Sequence, residues 1–287
     1  MNIAVFADIH GRMLLAFKLC ARWQQETGQR IDLILQAGDL GAYPSEDTLD
    51  WATFRQAKID PSELGFLLDF VEYDDEVAAM LSLTNCPLLF VRGNHEAHDW
   101  LDELEEEATD ALFSIDVYQR IWCLRTGIPY TFTHQHESIT LLGIGRIGAP
   151  ASEPDPSKTS YIQAYEQQRL ADLCAPTIDI LLTHDAPVDF QRSGQGMEEI
   201  TTLLQQAQPA YHFFGHYGGP ARIRLAHNGY TQSCKLADLT WDLKAPGHRL
   251  NTGSMGLLNW QSVTEHHFEI LTAPWLKKYS VHHWKYV

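Results

Sequence analysis

The sequence predicts an α/β fold in which a second sheet packs on a largely parallel one, and three observations predict it. Short apolar runs without polar alternation recur at residues 2–7, 32–37, 87–92, 178–183 and 210–215. That is the pattern of strands buried on both faces. Stretches with helical apolar spacing fall between most of them, and alternating strand and helix argues for parallel neighbours. A third group of runs has hairpin spacing, which calls for antiparallel strands beyond the parallel core.

In chain order, the first strand leads to a helix over 13–26, apolar on one face, with Gly28 placed to stop it. Helical segments over 47–56 and 61–83 separate the second and third strands, and 100–112 and 161–173 are helical as well. Residues 129–133 and 138–143 form a hairpin; 221–226, 230–236 and 249–251 are further antiparallel strands that a second sheet absorbs. The stretch 148–159, with three prolines, is a surface loop rather than a linker. With 287 residues, 45% hydrophobic content, and neither a low-complexity linker nor a repeat, the chain predicts a single domain over 1–287. An acidic helical insertion occupies about 43–82.

The formal net charge is −16, concentrated at 46–76 and 96–110, and both runs are expected to be solvated helix faces. Such a surface disfavours long, non-specifically held nucleic acid and anionic membranes, because the dominant electrostatic term has the wrong sign. It leaves room for a locally positive, metal-filled cleft. The five cysteines (Cys20, Cys86, Cys123, Cys174, Cys234) are odd in number and far apart, with no C-x-x-C pair, so neither a disulfide framework nor a zinc knuckle is expected. Residues 1–6 run straight into a strand without a basic or cleavable apolar segment, and no apolar run nears the ~20 residues of a membrane span. The expected location is the cytoplasm.

What ends each strand carries the chemistry. The five runs close in Ala7-Asp8-Ile9-His10-Gly11, Ala37-Gly38-Asp39-Leu40-Gly41, Arg92-Gly93-Asn94-His95-Glu96, Thr183-His184-Asp185-Ala186-Pro187 and Phe214-Gly215-His216-Tyr217-Gly218-Gly219. Ligands gather at the carboxyl ends of strands in open α/β sheets, so carboxylate, imidazole and amide groups are expected along one sheet edge. Asp8 and His10, two apart on extended backbone, would point to one face and share a metal. Oxygen and imidazole donors without thiolate suit Mn²⁺, Fe or Zn²⁺. Taken singly, Asp-x-His is more often a cap, Gly-Asp a turn and His184 a satisfied core histidine. All five in order at strand ends are not coincidence.

The order D-x-H, G-D, G-N-H-E, H, G-H resembles the calcineurin-like metallophosphoesterase superfamily, and Asn251-Thr252-Gly253-Ser254 is similar to its N-x-G-S ending. The match covers nearly the whole chain. It implies two mixed β-sheets packed as a sandwich flanked by helices (four layers, α/β/β/α), with a dinuclear metal centre at the sheet edge. Carried over, Asp8 and His10 bind the first of two divalent ions, Asp39 bridges both, and Asn94, His184 and His216 complete the second. His95 is the proton donor to the leaving oxygen or a phosphate-contacting cation. The implied reaction is hydrolysis of a phosphate ester, a diester before a monoester, by a hydroxide bridging the metals, with His95 and Asp39 catalytic. G-N-H-E, T-H-D-A-P and the block 165–184 are nearest the branch that includes RNA lariat debranching enzymes, although those begin with Cys-x-His where this chain has Asp8. Arg12 is either a solvated surface arginine or a phosphate contact.

One departure matters. The family's last motif is G-H-x-H, and its second histidine is the fourth protein ligand of the first metal; here that position is Gly218. The first metal is left with Asp8, His10 and Asp39, so weaker binding is expected there. His227 and His212 are candidate substitutes, though neither holds the family position. Retained His95 favours an active phosphoesterase, whereas Gly218 favours the alternative, a catalytically weak metal-bound relative serving as a binding or regulatory module. Substrate choice lies in loops rather than in these residues. Segments 43–82 and 97–122 are expected to flank the cleft, where Tyr43, Trp51 and Trp100 either stack on a base or pack helices. The expected partner is a small or short phosphorylated substrate such as a nucleotide.

Overall fold

The computed structural model describes residues 1–150, 158–174, 176–242, 244 and 247–286. Its strands are β1 (Asn2–Phe6), β2 (Leu33–Gln36), β3 (Leu88–Phe90), β4 (Leu112–Ser114), β5 (Ile121–Leu124), β6 (Tyr130–His134), β7 (Glu137–Ile144), β8 (Ile180–Thr183), β9 (Tyr211–Phe214), β10 (Arg222–Leu225), β11 (Gln232–Lys235), β12 (Trp241–Asp242), β13 (Arg249–Leu250), β14 (Gly256–Ser262) and β15 (Glu265–Ile270). Its α-helices are α1 (Met13–Thr27), α2 (Trp51–Ala57), α3 (Gly65–Asp69), α4 (Asp75–Leu81), α5 (His98–Glu107), α6 (Ala164–Ala171) and α7 (Glu198–Ala207).

The strands form two mixed sheets. One runs β15-β14-β1-β2-β3-β5-β4 and the other β10-β11-β9-β8-β7-β6, with a small β12-β13 ribbon apart. In the first sheet β1, β2, β3 and β5 are parallel; in the second, β7, β8, β9 and β11 are. Antiparallel strands close the edges of each.

Side-chain alternation along these strands sets the layers. Ile3, Val5, Leu33, Leu35, Leu89 and Val91 meet Leu141, Ile180, Leu182 and Phe213 in a core between the sheets. The alternate residues Phe6, Ile34, Leu88 and Phe90 point away and pack with Phe17, Leu19, Phe66 and Leu81 from the helices. On the far side, Ile144 and Leu181 pack with Leu170, Ile200, Leu203 and Leu204 of α6 and α7. The result is the expected helix, sheet, sheet, helix order, and it explains why these strands are apolar on both faces. Phe6, Gln36 and Phe90 lie in register across the first sheet, so β1, β2 and β3 finish level with one another.

Several elements differ from the sequence reading. The expected helices over 47–56 and 61–83 are a series of short turns and helices. Asp50 accepts from the Thr53 N–H, Asp60 from Ser62, and Asp74 from Glu76 and Val77. Each aspartate starts a new helix and so prevents one long one. The helix expected over 100–112 ends at Glu107, and Leu112 begins β4. α7 and the β14–β15 hairpin were not foreseen. Strand β14 is held by antiparallel pairing to β1 at the other end of the chain, a contact local patterning does not register. Gly28 stops α1 as expected, with a left-handed φ of 72° and its N–H on the Gln24 carbonyl. Most of the proline-bearing stretch 148–159 lies outside the described residues.

The acidic runs are not simply solvated. Glu63, Glu96 and Glu105 of these runs are buried, as is Glu166 farther along the chain. Arg12 pairs with Asp60 and Glu63, Arg92 with Asp102 and Glu105, and Arg146 with Asp102 and Glu166. Among the described residues all five cysteines are free, and no helix is long and apolar enough to cross a membrane.

Leu182 is fully buried between the sheets. Leu182→Ala is expected to lower unfolding free energy by about 2–5 kcal/mol. Urea denaturation checks this: the midpoint should fall while the slope stays constant.

Candidate metal centre

The donors expected along one sheet edge come from two sheets. Asp8, Asp39 and Asn94 follow β1, β2 and β3 of one sheet, whereas His184 and His216 follow β8 and β9 of the other. Hydrogen bonds join the two at this point. The His216 N–H donates to Asp8 Oδ1 at 3.0 Å, and His184 Nδ1 lies 3.0 Å from the Ala37 carbonyl.

The backbone here is not extended. Asp8, His10, Asp39 and His216 all take positive φ, between 42° and 67°. Asp8 and His10 therefore reach the site through left-handed turns rather than by strand alternation, which corrects the expected geometry. Aspartate and histidine tolerate this region better than most residues, though each such turn costs about 1–3 kcal/mol. The turns are held by hydrogen bonds from the Asp8, His10 and Gly11 N–H groups to the Gly38, Asp39 and Leu40 carbonyls.

Three ligating atoms, one each from Asp8, Asp39 and His184, lie within 4.8 Å of one another, and all three residues are buried. Because the Ala37 carbonyl can only accept, His184 Nδ1 carries a proton. Its Nε2 then faces Asn94 Oδ1 at 3.1 Å and Asp39 Oδ1 at 3.3 Å. A ring nitrogen facing an amide oxygen and a carboxylate oxygen in a desolvated place calls for a positive centre, either a proton on Nε2, which Asp39 favours, or a metal ion. This donor set fits a divalent metal. Asp39 Oδ2 lies 3.9 Å from His10 Nε2, so Asp39 offers one oxygen to each histidine, the arrangement a bridging ligand needs. The His216 ring packs edge-on against His184 with centroids 4.9 Å apart. The structure thus brings Asp8, His10, Asp39, Asn94, His184 and His216 together.

Electrostatics reflect the crowding. Burial pushes the Asp8 carboxyl well up, and Asp39 and Asp238 add to it. Burial also works against the Asp39 charge, but His184 outweighs it and holds that carboxyl well below its usual range. Burial lowers His10 to about 4. His95 lies at the rim, its ring centroid 5.7 Å from that of His10. Burial opposes its charge, yet the hydrogen bond that its Nδ1–H donates to Asp50 Oδ2 at 2.7 Å, helped by Asp39, raises it to about 9. His95 is therefore an imidazolium near neutral pH.

Close packing admits only glycine at key points. A Cβ at Gly93 would fall 2.0 Å from Asp39 Oδ1, and one at Gly215 would fall 2.0 Å from Asp8 Oδ2. Glu96, the last residue of G-N-H-E, never reaches the site. Its carboxylate accepts from the Leu40, Gly41 and Ala42 N–H groups at 2.8–3.0 Å and so shapes the loop that carries Asp39.

Other expectations are redirected. Arg12 is not a solvated surface residue: its buried guanidinium ties Asp60 and Glu63 to the Ile9 and His10 carbonyls, and the residue lines the cavity of His10 and His95. His212 and His227 do not fill the place of the missing histidine. His212 is buried between Thr183 Oγ1 (2.8 Å) and Ser233 Oγ (3.1 Å), and His227 is exposed against Phe190. Tyr43 is buried on Asp50 and Thr53, and Trp100 packs on Phe66. Trp51 alone of the three candidate aromatics is largely exposed, at 70%. Asp50 and Asp238 escaped the sequence reading. Asp50 was lost in an acidic run, and nothing local marks Asp238.

The family model for calcineurin-like phosphoesterases matches residues 1–220. The chain is similar to a lariat debranching enzyme of Arabidopsis thaliana, at 26% identity over 244 residues, covering 75% of this chain and 54% of that one. It is also similar to a lariat debranching enzyme of Drosophila pseudoobscura pseudoobscura, at 24% over 272 residues, covering 83% and 46%. The chain spans about half the length of these curated relatives. A crystal structure from Thermus thermophilus shares the fold at a TM-score of 0.51 and 18% identity, covering 88% of this chain and 98% of that one.

Two outcomes are expected. Gly215→Ala should displace Asp8 and weaken Mn²⁺ binding roughly tenfold or more in calorimetric titration; unchanged affinity would argue that Asp8 is no ligand. Burial holds His212 down to about 3, against an ordinary value of 6.5. Between those pH values the unfolded chain binds the extra proton. This contribution to stability is therefore complete above about pH 6.5 and is lost as pH falls, at up to about 1.4 kcal/mol per pH unit. His212→Asn should flatten the slope of stability against pH by about one proton in urea melts from about pH 7 to pH 4.

Proposed function

The chain belongs to the calcineurin-like phosphoesterase family, and on that premise we propose that it is a metal-dependent hydrolase of a phosphate ester, a phosphodiester before a monoester. Asp8, His10 and Asp39 hold the first divalent ion, and Asp39, Asn94, His184 and His216 hold the second. The observation that carries this reading is the convergence of His184 Nε2, Asp39 Oδ1 and Asn94 Oδ1 in a buried place. Divalent ions held there would supply an acidified water as nucleophile and polarise the phosphoryl oxygens; Mn²⁺, Fe and Zn²⁺ suit the donors.

The remaining work falls to the chain's own groups. Asp39 holds His95 from behind through the His95 N–H at 2.8 Å, and Asp50 keeps its ring protonated and oriented. His95 gives that proton to the departing oxygen as the P–O bond breaks. The cavity between His10 and His95 has one wall from Thr53 and Gln56 of α2, with a volume of about 310 Å³. That space suits a short phosphorylated substrate. Trp51, exposed on the same helix, offers a face on which a base could stack. The named relatives support a phosphodiester in nucleic acid, and the net charge of −16 supports a short one held at its reactive link. We take residues 1–287 as one unit, with the acidic segment 43–82 as an insertion flanking the cleft, working in the cytoplasm without membrane attachment.

Gly218 supports one other reading, a weakly catalytic metal-bound module. Purified protein with Mn²⁺ and bis-p-nitrophenyl phosphate separates the two. Turnover should be abolished by Asp39→Asn, and turnover no higher than in that variant would leave only the binding module. His95→Asn should lower kcat by about 10²–10⁴ on a dinucleotide, whose leaving alkoxide needs a proton. Its effect on the p-nitrophenyl ester should be smaller, since p-nitrophenolate leaves unprotonated. Equal effects on both substrates would count against the proton-donor role.

A further inference from the structure

Asp238 stands outside every strand-end motif, yet the fold brings it to the half of the centre that is short of a ligand. It follows β11, where Ala7 and Asp238 form a parallel bridge, and the Leu239 N–H donates to the Asp8 carbonyl at 3.2 Å. Residues 238–239 therefore lie along the strand end that carries Asp8 and His10. The Asp238 side chain lines the same cavity as His10 and His95.

One oxygen of its carboxylate is also left without a donor. Oδ1 is buried and has no hydrogen-bond partner among the described residues. A buried carboxylate oxygen without a donor is costly, and native structures leave few of them. The nearby ammonium of Lys235 is turned to the Gly219, Pro220 and Leu236 carbonyls instead. A group in that position is explained if a cation sits between it and the other donors.

We propose that Asp238 is the fourth protein ligand of the first metal, in place of the histidine that Gly218 replaces. This rests on the two-metal reading above. The first ion then has Asp8, His10, Asp39 and Asp238, three carboxylates and one imidazole. The second keeps an imidazole-richer set. An oxygen-rich set favours hard ions, so the first site should prefer Mn²⁺ or Mg²⁺ over Zn²⁺ more than the second does.

The test uses the full chain, stripped of metal and titrated with Mn²⁺ by calorimetry and electron paramagnetic resonance. Wild type is expected to take two ions per chain and show a spin-coupled pair. Asp238→Asn should bind one ion as wild type does and the other roughly 10- to 100-fold more weakly, with a mononuclear spectrum at one equivalent. Its melting temperature in EDTA should equal or exceed that of wild type, because a repelling charge has been removed. Wild-type affinity for both ions in Asp238→Asn would overturn the ligand assignment alone. So would a drop in the metal-free melting temperature with both ions lost, which marks a structural role, or a wild type that takes a single ion. A wild type that binds no Mn²⁺ would overturn the metal-dependent reading itself, and this assignment with it.

Discussion

Two carboxylates and an imidazole are buried together at the junction of two sheets, and much of the local structure answers to that crowding. Like charges about 4 Å apart repel by about 4 kcal/mol in surroundings of intermediate polarity. Asp8 and Asp39 avoid the full penalty through His184, whose ring is held by the Ala37 carbonyl and faces Asp39. The backbone yields to the same demand. Four donor residues accept left-handed turns, and glycines at 93 and 215 clear the space their carboxylates occupy.

Support for this arrangement comes from residues that never touch the donors' convergence point. Glu96 gathers the N–H groups of the Asp39 loop. Arg12 binds the carbonyls of the Asp8–His10 turn to the acidic segment through Asp60 and Glu63. Part of the acid in the chain is therefore internal and paired, and Arg92 and Arg146 serve the helical side in the same way. Net charge alone says little about the field at the cleft when acidic groups are used as internal fasteners.

The two halves of the centre differ in kind. The half around His184 is built on β8 and β9 and is rich in imidazole. The half around Asp8 and His10 opens into the cavity beneath α2, close to His95 and Asp238. In the proposed reaction the first half anchors and the second meets substrate. His95 on the cavity wall, held by Asp50, suits proton delivery to a leaving group there.

Local residue pattern by itself determined the five central strands, the stop at Gly28, the hairpin of β6 and β7, and the polar residues that close those strands. Each of these depends on short-range chemistry: an unbroken apolar run, a left-handed cap, and a polar group where the run ends. Tertiary structure decided what arises between distant segments. Strand β14 exists as the partner of β1, so nothing beside it in the chain announced it. The donors proved to come from two sheets because His184 and His216 meet Asp39 and Asp8 only after the sheets stack. Asp50 was indistinguishable from its acidic neighbours until folding set it against His95. Asp238 came to the site through a bridge to Ala7, 231 positions earlier (238 − 7). A side chain's partners across such a separation are fixed by packing, and packing is a property of the whole fold rather than of any window of the chain.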